Sequence, residues 1–574
     1  MRPAPQDFEE RRDPRTGEKY LAVFRRGTAL KDDPLLSKGT CFTLDERQVF
    51  GLTGLFPPAI STPEGQAERA YGNFRRMPDD VGKYLFLASL QDRNETLFYQ
   101  LVCAHLEEML PIIYTPTVGL VCEQYSHNYR RPRGVYVSTL DRGRIADVLR
   151  NADRDDVRII VATDNEAILG IGDQGVGGMG IAVGKVALYT AGAGVHPVYG
   201  MPLDIDVGTN NQALLDDPLY LGVRHRRLRG DEYFSLLDEL VEAITLVFPR
   251  ALVQWEDFAN DVAFQVMHRY RGQLPSFDDD IQGTAAVVEA GIRTGLDRSG
   301  RRLQDERMVF FGAGASGAGC AMQMRRALKS SGLADAEINR RVLCLDSKGL
   351  ILADRPGLSG HKKEIAADAG IAAGWTSADR GRFTLSDVVR QFAPTILVGV
   401  SGQPGAFTED IIKTMHGRVA RPIVLTLSNP TNKVEARPEE LLRWTNGAAI
   451  VGTGSPFAPV AHAGVTHHIG QCNNAFVFPG IGLGAIVVGA HAVPDEAFAA
   501  AAMALYEATG RDDTPGASIF PTIASLRAVS AKVAVAVGRA LVECGAAPAI
   551  PTAEIESRIA DAIWEPKYLP YRTA

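Results

Sequence analysis

From about residue 44 to 129, apolar side chains recur every three and four positions with charges between them, as in KYLFLASLQDRNETLFYQLVCAHLEEML. That period predicts a largely helical N-terminal region. Pro111 is expected to end the last of these helices, because it lacks an amide hydrogen and clashes with the preceding turn. The rhythm then changes. VRIIVATD reads as a buried strand, a glycine-dense loop follows it, and positions 181–191 read as a helix. Beyond 306, MVFFGAG, RVLCLD, TILVGVSG, PIVLTLSNP and AAIVGTGSP are short apolar runs, each stopped by small or turn residues and separated by helix-length segments. Near-continuous apolar strands of this kind predict a parallel sheet covered on both faces, with ligands at the carboxyl ends of its strands. FAAAAMALY is an alanine-rich helix candidate, and the tail IWEPKYLPYRTA is expected to dock on the fold or on a neighbouring subunit.

A chain of 574 residues exceeds one ordinary core, which implies roughly two to four domains. Hydrophobic residues make 45% and charged ones 22%, a globular composition rather than a disordered one. The formal charge of -7 and the lack of a long basic stripe argue against nucleic acid as the main partner. The N-terminus MRPAPQDFEERRDPRTGEKY has no apolar segment of the secretory kind. No uninterrupted apolar run reaches the roughly 18 residues that span a bilayer, so no membrane association is expected. Cys41, Cys103, Cys122, Cys320, Cys344, Cys472 and Cys544 are odd in number and without CxxC spacing, which fits reduced thiols and a cytoplasmic location.

Two glycine loops compete for a dinucleotide. FFGAGASGAG sets Gly312, Gly314 and Gly317 at GxGxxG spacing between a strand and a helix, where the backbone can approach a pyrophosphate. GIGDQGVGGMG sets Gly170, Gly172 and Gly175 at the same spacing. The later loop is favoured, because its next strand ends in Asp346, a candidate ribose acceptor or else a turn residue before Gly349, and further strands follow. No such succession of strands is evident after the earlier loop, so its glycines read as close packing around a substrate pocket. The acidic run FDDDIQG at 277–283 is either a solvated turn or part of a metal site. QWEDF adds Glu256 and Asp257, again framed by aromatic residues. With Asp279 and Asp280 these supply oxygen ligands for a hard cation such as Mg²⁺ or Mn²⁺.

YTPTVG at 114–119, GMGIAVGK at 178–185, DVGTNN, WEDF, DDIQGTA, LSNPT and NNAFVFPG together resemble the motifs of the malic enzymes, in that family's order over roughly residues 35 to 540. The resemblance implies an α/β protein. It comprises a helical N-terminal domain (1–130), a discontinuous substrate and metal domain with a parallel sheet (131–280 plus 467–540), a Rossmann-type NAD-binding domain (281–466) and a C-terminal tail (541–574). It further implies oxidative decarboxylation of L-malate to pyruvate with reduction of NAD, decarboxylation of oxaloacetate, and a homodimer or homotetramer.

By the same resemblance Lys185 is the base for the C2 hydroxyl, with Asp279 and Asp280 beside it, and burial near the metal is expected to lower its pKa. Tyr114 is the acid that protonates C3, and Glu256, Asp257 and Asp280 hold Mn²⁺ or Mg²⁺ as a Lewis acid. Gly312, Gly314, Ala315, Ser316, Gly317, Asp346 and Asn429 face the cofactor. Asn429, Asn473 and Asn474 face the substrate, and position 167 belongs to both groups. Asp278, commonly asparagine in relatives, is expected to be solvated, and His467 and His468 to be structural.

The pattern breaks at DNEAILG, where Ala167 replaces an arginine that grips the substrate's carboxylate in the family. Loss of one charge-assisted hydrogen bond, worth roughly 1.5 to 3 kcal/mol, costs about one to two orders of magnitude in binding or rate. Malolactic enzymes, which retain NAD and release lactate, also carry a small residue there, so that outcome is the alternative. A homologue that binds nucleotide without catalysis is another, and a plain hydroxy-acid dehydrogenase a third. Asp346 favours NAD, whereas Ser347, Lys348, Lys362 and Lys363 are suited to NADP. Arg69 and Arg93 match an activator site of some relatives, but Ser61 stands where its acidic member belongs.

Overall fold

The structure is a computed structural model that describes residues 7–358, 360–377 and 382–574. Strands β1 (Phe8–Arg12) and β2 (Lys19–Val23) pair antiparallel ahead of the helical region. The long helical pattern there is cut into Asp80–Gln91, Glu95–Ala104 and Leu106–Ile113. Asn94 makes the first break, its side chain accepting from the Leu97 amide at 2.9 Å as an N-cap. Pro111 does not end the last helix but lies inside it. It sits in the final turn, and the Tyr114 amide still reaches Leu110 at 3.0 Å, so one missing amide is tolerated.

Five parallel strands follow: β3 (Val135–Ser138), β4 (Ile159–Thr163), β5 (Gly200–Asp206), β6 (Leu252–Glu256) and β7 (Ser276–Asp278), in the order β3-β5-β4-β6-β7. The earlier glycine loop therefore does have strands behind it. They escape the hydrophobic pattern because β5 and β6 bury Asp204, Asp206, Gln254 and Glu256 among their apolar residues. After β4, the loop feeds the helix Met179–Ala193, which is apolar on all sides because it runs through the core. The stretch Gly175–Ala193 is long and apolar enough to cross a membrane, yet 94% of it is buried inside the fold.

The second sheet contains β8 (Met308–Phe311), β9 (Val342–Asp346), β10 (Gly349–Leu350), β11 (Ile396–Gly399), β12 (Ile423–Thr426) and β13 (Ile450–Thr453), all but the short β10 expected from the apolar runs. A hairpin, β14 (Val460–His462) with β15 (Val465–His467), precedes β16 (Gly470–Gln471). The order is β10-β9-β8-β11-β12-β13-β16, parallel except at β10. The chain leaves β8 in one direction and returns on its other side at β11, the doubly wound arrangement of a Rossmann-type domain. One apolar cluster joins both sheets through the helices Thr284–Ser299, Phe478–Val488 and Leu526–Glu543. The last strand, β17 (Tyr571–Thr573), pairs parallel with β2. Tyr571 donates to Leu36 at 2.8 Å, so the tail docks on the N-terminal part of its own chain. All seven cysteines are free thiols.

Candidate active site

The cleft is built from the carboxyl ends of β4, β6 and β7 and the elements that follow them. Lys185 projects from the core helix Met179–Ala193, fully buried, with Nζ 2.8 Å from Glu256 Oε1 at the end of β6 and in direct contact with Asp279 Oδ2. Gly184 brings Tyr114 to the same place, because a Cβ there would stand 2.8 Å from the Ile113 carbonyl. The Lys185 ammonium lies 5.6 Å from the centre of the Tyr114 ring and 4.6 Å from that of Phe478. Asn474 closes the far side by donating to Asp279 Oδ2 at 3.1 Å and to Thr284 Oγ1 at 2.9 Å.

FDDDIQG leaves β7 directly into a π-turn, Asp279–Gly283, the kind of helix defect that recurs at functional sites. The turn points Asp279 at the lysine and Asp280 at Asp257, whose amide donates to Asp280 Oδ2 at 2.8 Å. Asp257 holds a left-handed backbone, φ 59°, uncommon for a residue with a side chain and characteristic of functional sites. One carboxylate oxygen from each of Glu256, Asp257 and Asp280 lies within 4.8 Å of the others. Burial raises all three carboxyls above their usual range against the pull of Lys185, and repulsion from neighbouring carboxylates, Asp279 among them, adds to it. Asp257 Oδ2 is buried without a hydrogen-bond partner. Three converging oxygens with an orphaned acceptor among them fit a hard divalent cation.

Two effects compete at Lys185. Burial does pull its pKa down, but Asp279 and Glu256 outweigh burial and hold the ammonium well above its usual range. Burial likewise raises the Tyr114 hydroxyl, so the tyrosine keeps its proton.

Asp278 is fully buried rather than solvated, since it closes the buried strand β7. One oxygen accepts from the Ile281 amide at 2.9 Å, and Oδ2 has no partner. Burial, then repulsion by Asp280 and Asp279, raises its carboxyl well above the ordinary range. Folded Asp278 therefore keeps its proton where the unfolded chain ionises, above about pH 4, so its contribution to stability falls as pH rises. Asp278→Asn preserves the shape without that loss. We expect it to be more stable than the parent by about 1 to 3 kcal/mol at pH 8, the scale of an unsatisfied buried group, with a smaller gap at pH 5 in thermal unfolding.

The second glycine loop meets this cleft. Gly312 has φ 113°, and a Cβ at Gly317 would lie 1.9 Å from the Gly312 carbonyl, so both positions require glycine. The helix Ala315–Ser330 starts there, next to the site: Asn260, three residues past Asp257, accepts from the Ala315 amide at 2.7 Å. Gly314 faces the same Asn260, and Ser316 lies in the first turn. A tight strand-to-helix turn at the point where strand order reverses fits a dinucleotide's pyrophosphate. Asp346 is already engaged, accepting from Arg355 Nη2 at 2.5 Å and Lys362 Nζ at 2.9 Å. Burial pushes its carboxyl up, but those two cations hold it down at about 2.

Asn429 receives a hydrogen bond from Ser455, and its loop abuts the earlier one, since a Cβ at Gly170 would meet Pro430 at 2.8 Å. Asn473 is buried, with its side chain accepting from the Ala475 amide at 2.9 Å. Ala167 is exposed, and its amide donates to the Asp257 carbonyl at 2.8 Å. Arg69 donates to Ser61 at 3.4 Å, while Arg93 is exposed.

Two supporting residues were missed. Tyr189 donates to Gln254 at 2.5 Å, and Gln254 donates to Glu256 at 2.8 Å, fixing the carboxylate against Lys185. The spacing held the signal: Gln254 shares a strand face with Glu256, and Tyr189 lies one helical turn after Lys185.

Residues 91–271 match the family description "Malic enzyme, N-terminal domain", and residues 281–542 match "Malic enzyme, NAD binding domain". The NAD-dependent malic enzyme of Sodalis glossinidius is 46% identical over 555 residues, covering 97% of this chain and 98% of its own. That of Acinetobacter baylyi is 44% identical over 557 residues, with the same coverage. Among solved structures, the Entamoeba histolytica malic enzyme matches with TM-score 0.56 at 22% identity, over 90% of this chain and 91% of its own. The Pyrococcus horikoshii enzyme matches with TM-score 0.53 at 22% identity, over 79% and 89%. With both halves of the chain matched and relatives aligned almost end to end, the chain belongs to the malic enzyme family.

Proposed function

We propose that this chain oxidises L-malate with NAD and decarboxylates the product to pyruvate and CO₂, in a reaction that needs a divalent metal. The observation that carries the reading is the convergence of Lys185, Tyr114 and the Glu256, Asp257 and Asp280 carboxylates beside the Gly312 loop. Its nearly full-length relatives named NAD-dependent malic enzymes support the substrate and the cofactor.

Lys185, fixed between Asp279 and Glu256, takes the proton of the malate C2 hydroxyl. Asn474 holds Asp279 in place, so the lysine approaches from one direction only. Glu256, Asp257 and Asp280 would hold a divalent cation, which would supply Lewis acidity to the substrate and, by its charge, would lower the proton affinity of Lys185. NAD seated on the Gly312 loop supplies the hydride acceptor. After CO₂ leaves, Tyr114, held protonated by burial, gives its proton to C3 of the enolate. The same last steps act on oxaloacetate. Asp346 stays ionised but is paired with Arg355 and Lys362, so the preference for NAD over NADP rests on the relatives named NAD-dependent malic enzymes.

Ala167 places no cation beside the substrate carboxylate, the one observation that favours a malolactic outcome. Incubation with malate, Mn²⁺ and NAD decides between them, repeated with NADP and with oxaloacetate. We expect NADH and pyruvate in equal amounts. Lactate without net NADH would establish the malolactic reaction, and absence of turnover with NAD still bound would leave a nucleotide-binding protein.

A further inference from the structure

At the other end of β13 from the proposed active site lies a cavity of about 380 Å³. The strand's first residue, Ile450, lines it, whereas Ser455, just beyond the last, bonds Asn429. Four residues of strand, roughly 13 Å, separate the two. The cavity is floored by Gly447, whose φ of 78° requires glycine, and roofed by the hairpin of β14 and β15.

His462 and His467 stand on the same face of that hairpin. Both reach Gly447, where a Cβ would be 3.1 Å from one ring and 3.6 Å from the other. Arg298 and Arg421 also line the cavity, with Arg421 donating to the Arg298 carbonyl. Neither guanidinium has a carboxylate within ion-pair distance among the described residues. Asp512 and Asp513 also line the cavity and act on the Arg298 charge from beyond ion-pair distance, while Asp513 pairs with Arg511 at 3.2 Å and Asp512 accepts from the Thr514 amide at 2.9 Å.

Two nitrogens on the lining, the donor Arg298 Nε and the ring nitrogen His462 Nε2, are buried with no hydrogen-bond partner. Leaving a buried polar group unpartnered costs about 1 to 3 kcal/mol. Such a lining lacks an acceptor-rich anion. The rest of the wall is aliphatic, formed by the buried Leu442, Val451 and Ile519, and so accommodates more than a bare inorganic ion.

We propose that this cavity is a second ligand site, separate from the active site, that takes an organic phosphate: its phosphoryl group between Arg298, Arg421 and His462, and its organic part on the aliphatic wall. The site does not depend on the reaction proposed above. It gives His467, and His468 at the rim, a role beyond structure.

Isothermal titration of the full chain, metal-free and saturated with NAD so that the Gly312 cleft is filled, tests the site with AMP, inorganic pyrophosphate and adenosine as probes. One AMP per chain is expected, with weaker binding of pyrophosphate and none of adenosine. Arg421→Gln and the double variant His462→Ala, His467→Ala should each weaken AMP at least tenfold without lowering the unfolding temperature or changing malate turnover. Failure of both AMP and pyrophosphate to bind the parent chain would overturn the proposal. So would AMP binding that is unchanged in both variants or displaced by more NAD, and so would adenosine binding as well as AMP.

Discussion

Lys185→Met should lower malate oxidation by about three orders of magnitude at pH 7.5, within the hundred- to ten-thousandfold range of general-base catalysis, while the affinity for NAD changes less than twofold. The lysine is buried between two carboxylates, and its contacts exclude water from its place, so no solvent base substitutes for it. A loss of activity alone does not prove a chemical role, because the substitution also leaves Glu256 and Asp279 facing each other. Breaking a buried ion pair costs about 3 to 5 kcal/mol, and the variant should unfold at a lower temperature. Oxaloacetate separates the two effects. Its decarboxylation needs no proton taken from C2, so K185M should lose far less of that activity than of malate oxidation. Tyr114→Phe should slow both reactions, since both end in protonation at C3. Equal loss of both activities in K185M would make the lysine a structural residue and sink its assignment as the base.

The nucleotide-binding half was legible because its strands are nearly pure apolar runs. MVFF, VLCLD and IVLT carry no charge before their last residue, and burial on both faces is the only use for such segments. The substrate half was not legible by the same rule. β5 and β6 bury Asp204, Gln254 and Glu256 inside the sheet, so the residues that build the cleft are the ones that break the hydrophobic pattern. The three aspartates of FDDDIQG show the limit most sharply. Motif resemblance separated Asp279 from Asp280, and the structure turns them toward different partners. Nothing local told that Asp278 is buried, since a run of acids is by default a solvated one. Lys185 shows another limit: burial alone argues for a lowered pKa, and only the positions of Asp279 and Glu256 reverse the sign. The terminal sheet joins residues more than 500 apart, a pairing that no local pattern encodes.

Divalent metal should stabilise the protein more at pH 8 than at pH 6. Around Lys185 the fold gathers the buried Glu256, Asp257 and Asp279 and the half-buried Asp280, so a single ammonium faces four carboxyl groups. Glu256, Asp257 and Asp280 are each raised, by burial first and by neighbouring carboxylates, against the opposing pull of Lys185. On unfolding they return to about 4. Between those limits the folded state binds more protons than the unfolded one, so without metal its stability must fall as pH rises above about 4. A cation binds the ionised carboxylates and competes with those protons, so its affinity rises along the same axis. At a free concentration one hundred times its dissociation constant it contributes about 2.7 kcal/mol. Thermal unfolding with EDTA and with Mn²⁺ at the two pH values should therefore show a gap that widens at pH 8. Asp257→Asn and Asp280→Asn should each raise the unfolding temperature in EDTA and shrink the Mn²⁺ gain, opposite changes from one substitution. A residue that merely packs would move both measurements together. If the Mn²⁺ gain is the same at both pH values and survives both substitutions, the three carboxylates are not the metal site.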